Sequence, residues 1–158
     1  MTISKNKIII VYLLSYASLL LGFVINEDLP LGYIKDYLHH QWLIDKLFNE
    51  NIVYGLLNYD LYHMPHSPLF ILYFLLIENI FFSETIARLV NLHLCLFIPL
   101  IFYKCLKVRY EFKSNDIKNL IPVIFFFSPY FRGGAIWIDD NIFAIIFFIA
   151  SYYYFFKY

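Results

Sequence analysis

The sequence predicts an all-α, polytopic integral membrane protein of about five transmembrane helices, with an extracytoplasmic first loop that carries interfacial helices. Three observations predict it. Of the 158 residues, 61% are hydrophobic, 22% aromatic and only 15% charged. A soluble domain has about 45–50% apolar and about 25% charged residues. Several apolar runs also approach the ~20 residues that a helix needs to cross the hydrocarbon core. Finally, no stretch alternates apolar and polar residues as a membrane barrel does, so helices must satisfy the backbone within lipid. The formal net charge of zero offers no basic surface for nucleic acid.

The first expected span covers residues 8–25, preceded by Lys5 and Lys7. The apolar run is longer than the 7–15 residues typical of a signal-peptide core, and no small-x-small cleavage site follows it. It reads as an uncleaved span with a cytoplasmic N-terminus, the lysines held inside. A second span is expected at 68–82, where Ser67 suits an N-cap and Pro68 the first helical turn. A third is expected at 87–106. A fourth, at 120–129, is bracketed by Pro122 and Pro129, and a fifth runs through 141–156. Tyr152, Tyr153, Tyr154 and Tyr158 look like interfacial belt residues. Cys95 and Cys105 fall in or beside one apolar run, about 15 Å apart along a helix, too far to bridge. No zinc-ligand spacing is present.

Topology carries a conflict. Five crossings place residues 104–118 outside, where Lys104, Lys107, Arg109, Lys113 and Lys118 outnumber Glu111 and Asp116. The positive-inside rule opposes that placement. Either 68–82 does not cross, or the N-terminal charges dominate. Five crossings is the reading adopted from the sequence.

The loop 26–66 is the most informative segment. It holds Glu27, Asp28, Asp36, Asp45, Glu50 and Asp60 against Lys35 and Lys46, and four of the five histidines, His39, His40, His63 and His66. A loop of this length is functional or disordered, and this one is too rich in Trp, Tyr, Leu and Ile to be disordered. Residues 33–48 read as a helix of mixed polarity lying in the membrane interface. Asp36 and His40 stand four apart, which puts them on one helical face with His39 adjacent. A carboxylate beside an imidazole can serve as a general base, and an exposed, solvating helix face accounts for the same residues equally well. Glu27 and Asp28 follow the first span directly. They suit a divalent cation, the activation of an acceptor hydroxyl, or a polar stop to the span. His63 and His66, held extended by Pro65 and Pro68, suit hydrogen bonds to a phosphate or sugar hydroxyl. Arg132 is read either as an ion-pair partner of Asp139 or Asp140 or as a ligand for a lipid-linked phosphate. Gly133 and Gly134 allow a tight bend there.

The ordered pattern resembles the N-terminal part of the GT-C superfamily of polytopic membrane glycosyltransferases. Asp36-Tyr-Leu-His-His40-Gln41 is similar to the Asp-Glu-x-x-His stretch in the first luminal loop of the dolichyl-phosphate-glucose-dependent alpha-1,2-glucosyltransferases, with Tyr37 where that pattern has Glu. His63-Met-Pro-His-Ser-Pro-Leu-Phe70 resembles the Pro-rich lead into the second span of that group and of the protein mannosyltransferase and aminoarabinose transferase groups. Glu84-Thr-Ile-Ala-Arg88-Leu and Ser128-Pro-Tyr-Phe-Arg132, followed by Asp139 and Asp140, are also like those groups. The likeness covers nearly the whole chain as an order of motifs.

The resemblance implies a glycosyltransferase using a polyprenyl-phosphate-linked sugar and a saccharide acceptor, glycan or lipid-linked, in the cell inner or plasma membrane. It implies Asp36 as the base that deprotonates the acceptor, with Glu27 and Asp28 as alternatives. His40 and His39, His63, His66 and Arg132 become substrate contacts, with no cofactor assigned, a divalent cation left open and no metal ligands named. Family members run to several hundred residues, so residues 1–158 are expected to form one membrane domain, the N-terminal portion of a longer fold. Two other readings remain: a non-catalytic membrane subunit acting through partner helices, and a flippase or polymerase component of a glycan pathway. The last needs polar residues at mid-membrane depth, for which Asn91 and His93 are the candidates.

Overall fold

A computed structural model describes residues 4–28, 32–47, 51–58, 67–81, 83–110 and 115–158. All regular structure among them is helical. The helices are α1 (Lys5–Val24), α2 (Tyr33–Leu47), α3 (Ile52–Leu57), α4 (Pro68–Phe81), α5 (Glu84–Cys95), α6 (Phe97–Arg109) and α7 (Asn115–Leu120). A 3-10 helix (Ile121–Phe127), α8 (Pro129–Trp137) and α9 (Asp140–Lys157) follow.

Among the described residues two helices are long and apolar enough to span a membrane, α1 and the 26-residue Glu84–Arg109 unit formed by α5 and α6. A third span exists if Ile117–Phe127 and Pro129–Trp137, bent by 61°, are taken as one. The helix expected at 68–82 is only 14 residues long, about 21 Å, shorter than the ~30 Å hydrocarbon core. The segment expected as a span at 120–129, bracketed by prolines, is the 3-10 helix and the start of α8. Pro122 and Pro129 remove the backbone donors that an unbroken α-helix would need. The 18-residue α9 is long enough, but Asp140, Asn141, three tyrosines and Lys157 make it too polar to be counted with α1.

Local sequence explains the boundaries. Leu96 separates α5 from α6 because Pro99 cannot donate to the carbonyl of Cys95; the Leu96 N–H turns back to His93 O at 3.2 Å. α1 ends in a Schellman motif. Asn26 adopts the left-handed conformation (φ 53°), its N–H bonds Phe23 O at 3.1 Å, and the Glu27 N–H bonds Gly22 O at 2.8 Å. α2 buries Tyr33, Tyr37, His40, Leu43 and Ile44 and exposes Lys35, Asp36, Leu38, His39, Trp42 and Asp45, the two faces of an amphipathic helix. Asn51 caps α3, accepting from Val53 N at 2.8 Å. Ser128 caps α8 and Asp139 caps α9.

Contacts fix how the helices run. The Tyr12 hydroxyl donates to Asn119 O at 2.7 Å, Tyr16 meets His93 at 2.7 Å, and Arg88 donates to Asn26 at 3.0 Å. α1 therefore runs antiparallel to α5 and α6. α6 and α9 run in the same direction, since Cys105 meets Ile149 O and the Arg109 guanidinium lies 5.3 Å from the Phe156 ring. Lys5, Lys7, Lys107, Arg109, Lys118 and Lys157 consequently gather at one end of the bundle. Glu27, Asp28, Glu84 and Asp139 gather at the other. α4 lies in the acidic half. Its Phe70 ring is 5.9 Å from Phe143, one turn into α9, and its far end leads into Glu84. The core joins both halves through Leu19, Phe74, Ala87, Leu92, Ile98, Phe131 and Ile136. Both cysteines are free and buried.

Candidate functional site at the acidic end of the bundle

The acidic end is organised by two arginines from different helices. Arg132, on α8, forms a bidentate ion pair with Glu27: Nε donates to Oε1 at 3.0 Å and Nη2 meets Oε2. Nη1 donates to Ser18 Oγ and Phe126 O, each at 3.2 Å, and Nη2 donates to Ser18 O at 3.1 Å. A guanidinium carries five N–H donors, and the five acceptors found here use them all. Gly22 makes the arrangement sterically feasible. A Cβ at that position would fall on the Glu27 carboxylate and the Arg132 guanidinium. Of the two sequence readings of Arg132, the ion pair with Asp139 or Asp140 is replaced by one with Glu27. Asp139 is instead committed to the N-cap of α9, accepting from Asn141 N at 3.1 Å.

Arg88 is the second anchor. It lies 3.5 Å from the centre of the Trp137 ring and donates to Ile136 O and Asn26 Oδ1, each at 3.0 Å, and to Glu84 at 3.3 Å. The Trp137 indole N–H then donates to Glu27 O at 2.9 Å. The exit of α1, the start of α5 and the end of α8 are thereby tied together around residues 26–27.

α2 docks on this frame. Gly133 lets it approach, because a Cβ there would strike the Tyr33 ring. The Tyr37 hydroxyl donates to Glu78 at 2.8 Å, and Gln41 donates to the same oxygen at 3.1 Å. Burial, then the bond to Glu78, pushes the Tyr37 phenol well above its ordinary value. Burial raises Tyr33 as well, helped by Asp139, Tyr130 and Asp36. Burial, followed by the neighbouring Asp140 charge, lifts the Asp139 carboxyl to about 6, against the pull of its capping bonds.

The sequence-derived candidates divide into distinct environments. Glu27 is half-buried and held by Arg132. Asp28 is exposed, with Oδ1 3.4 Å from Ile34 N at the start of α2. Asp36 and His39 are also exposed, and His39 stacks on Trp42 at 5.8 Å. His40, although four residues from Asp36, is fully buried, with Phe70 and Phe74 rings 4.9 and 5.6 Å away. His63 and His66 lie outside the described residues. Among the described residues no group of three or more His, Cys, Asp or Glu converges on a metal position. Asn91 and His93 are engaged internally: Asn91 bonds Tyr73 and Ala135 O, and His93 bonds Tyr16 and Leu89 O.

Sequence reasoning missed Arg88, Glu78 and Gly22 as organisers of this end. The signal for the first two was present: an arginine and a glutamate within largely apolar runs are costly unless paired. A cavity of about 310 Å³ opens beside the ion pair, lined by Ser18, Glu27, Phe126, Phe127, Pro129 and Arg132. No protein-family model, no curated protein and no solved structure matches this chain.

Proposed function

We propose that this chain is a GT-C-type membrane glycosyltransferase, or the N-terminal module of one, using a polyprenyl-phosphate-linked sugar as donor and a saccharide as acceptor. The observation that supports it is the placement of two exposed carboxylates, Asp28 and Asp36, where α1 hands the chain to α2, on a frame locked by Arg88 and Arg132. In the proposed reaction the acceptor hydroxyl oxygen attacks the anomeric carbon as its proton passes to Asp36. The bond from that carbon to the phosphate oxygen breaks, and polyprenyl phosphate leaves. Asp36 is the preferred base because its carboxylate is accessible. Asp28 is the alternative. Glu27 and Arg132, saturated by each other and by Ser18, act as positioning residues, and His40 anchors α2 on α4. His39 and Trp42 offer a stacked, exposed pair for substrate contact. The basic end is assigned to the cytoplasm, with the N-terminus inside and α2, α3 and α4 on the opposite side.

The test is transfer in membranes supplied with a panel of polyprenyl-phosphate sugars. Asp36→Asn should lower transfer by about 100-fold or more while the protein stays inserted. Undiminished transfer by that variant removes Asp36 from the mechanism. Absence of transfer from every donor overturns the enzymatic reading. A second reading, a membrane subunit acting through partner helices, draws on the largely exposed aromatic face of α9, where Phe148 and Phe155 are 68% and 77% accessible. It expects Asp36 and His40 to tolerate substitution and a membrane protein to co-purify.

A further inference from the structure

At the opposite end of the bundle from the candidate site, α6, α9 and the 3-10 helix line a slot of about 480 Å³. Its walls are Phe102, Leu106, Phe125, Ile145, Phe148 and Ile149, and Arg109 stands at its mouth. The Arg109 guanidinium is placed by two rings, Tyr110 at 5.6 Å and Phe156 at 5.3 Å. Among the described residues no carboxylate pairs with it. Lys5, Lys7, Lys107, Lys118 and Lys157 belong to the same end of the molecule.

We propose that this slot holds an anionic phospholipid, with an acyl chain lying along α6 and α9 against Phe125 and the phosphate on Arg109. Three features carry the assignment. The walls are apolar and lie along the Glu84–Arg109 unit, one of the two helices able to span a bilayer, so hydrocarbon is what they meet. Among the described residues lining the slot, the charged group is Arg109, cationic and forked, which matches a phosphodiester. The surrounding excess of lysine favours an anionic over a zwitterionic headgroup. A slot of this volume falls in the range of small-molecule pockets, about 300–1,000 Å³. The proposal does not depend on the glycosyltransferase reading.

Native mass spectrometry of the purified full chain, supplied with equal amounts of phosphatidylglycerol and phosphatidylcholine, tests it. The protein should retain phosphatidylglycerol preferentially. Arg109→Gln, a change at an exposed position, should lower that preference about fivefold. Lys157→Gln removes a charge of the same sign at the same end but outside the slot, and should lower the preference less than Arg109→Gln does. Equal retention of both lipids overturns the proposal. So does an equal loss from the two variants, which would mean a diffuse surface effect, or a dimer or partner chain occupying the slot in place of lipid.

Discussion

Asp139 shows how one buried carboxylate shapes the behaviour of this end of the molecule. It caps α9, and burial next to Asp140 raises its folded pKa from 3.8 to about 6. In the unfolded chain it ionises near 3.8, so between about pH 4 and 6 the folded state holds the proton that the unfolded state has lost. Stability from this group is therefore fully present below about pH 4 and declines as pH rises through 6. Asparagine caps a helix as well as aspartate and does not titrate. Asp139→Asn should flatten the thermal stability profile in detergent between pH 4 and 7 and stabilise the protein at neutral pH. An unchanged slope would mean that Asp139 does not carry the pH dependence. The residues meant for chemistry were only partly legible at this scale. Glu27, Asp28, Asp36 and Arg132 all fall at the acidic end, whereas five crossings would have put Arg132 on the opposite side of the membrane from the other three. Yet helical spacing alone could not say that Asp36 faces outward while His40, four residues on, is enclosed by Phe70 and Phe74. That division depends on α4, which is distant in sequence.

At the scale of elements, the crossing of α1 with α8 rests on one missing side chain. Gly22 is buried inside a helix, where alanine would ordinarily be favoured by about 1 kcal/mol. Gly22→Ala should nevertheless destabilise the protein, because its Cβ must displace a bidentate, charge-assisted pair worth roughly 1.5–3 kcal/mol per hydrogen bond. The expected net loss is about 2 kcal/mol, read as a lower melting temperature in detergent. A rise would show that the Glu27–Arg132 pair moves aside at little cost. Helix positions were largely legible: α1, α2, α4 and the α5–α6 unit begin and end within a few residues of their expected bounds. The element that departs most from its expected form is 120–129, where apolar composition suggested a span and the span, if one, is broken. The prolines at 122 and 129 and the Ser128 cap impose a 3-10 turn and a 61° bend instead. Proline effects on hydrogen bonding outweighed hydropathy there.

At the scale of the whole molecule, the separation of charge between the two ends fits the alternative in which 68–82 does not cross, and that alternative removes the conflict posed by the basic segment 104–118. With α4 confined to the acidic half, the chain need not cross between residues 26 and 84, and Lys104, Lys107 and Arg109 return to the same end as Lys5 and Lys7. Single cysteines introduced at Asp45 and at Lys107 should differ in labelling by a membrane-impermeant maleimide in intact cells. Asp45→Cys should react from outside, and Lys107→Cys only after permeabilisation. The native thiols are buried and leave the background low. Labelling of both from outside would overturn the assignment. The sequence offered this arrangement as one of two alternatives, and five crossings was the one adopted. Hydropathy could not choose between them because a 14-residue apolar helix satisfies composition without satisfying length.

The Glu27–Arg132 pair also orders events in time. Its members are 105 positions apart in the chain, so at ~5–20 residues per second a ribosome completes Glu27 roughly 5–20 s before Arg132 exists. During that interval α1 is already made, while its terminal carboxylate, the cleft left by Gly22 and the carbonyl of Ser18 all await a partner. Biogenesis of this protein thus has a built-in waiting period, closed only when α8 emerges, and nascent chains arrested before residue 132 should be the ones that quality-control proteases find first.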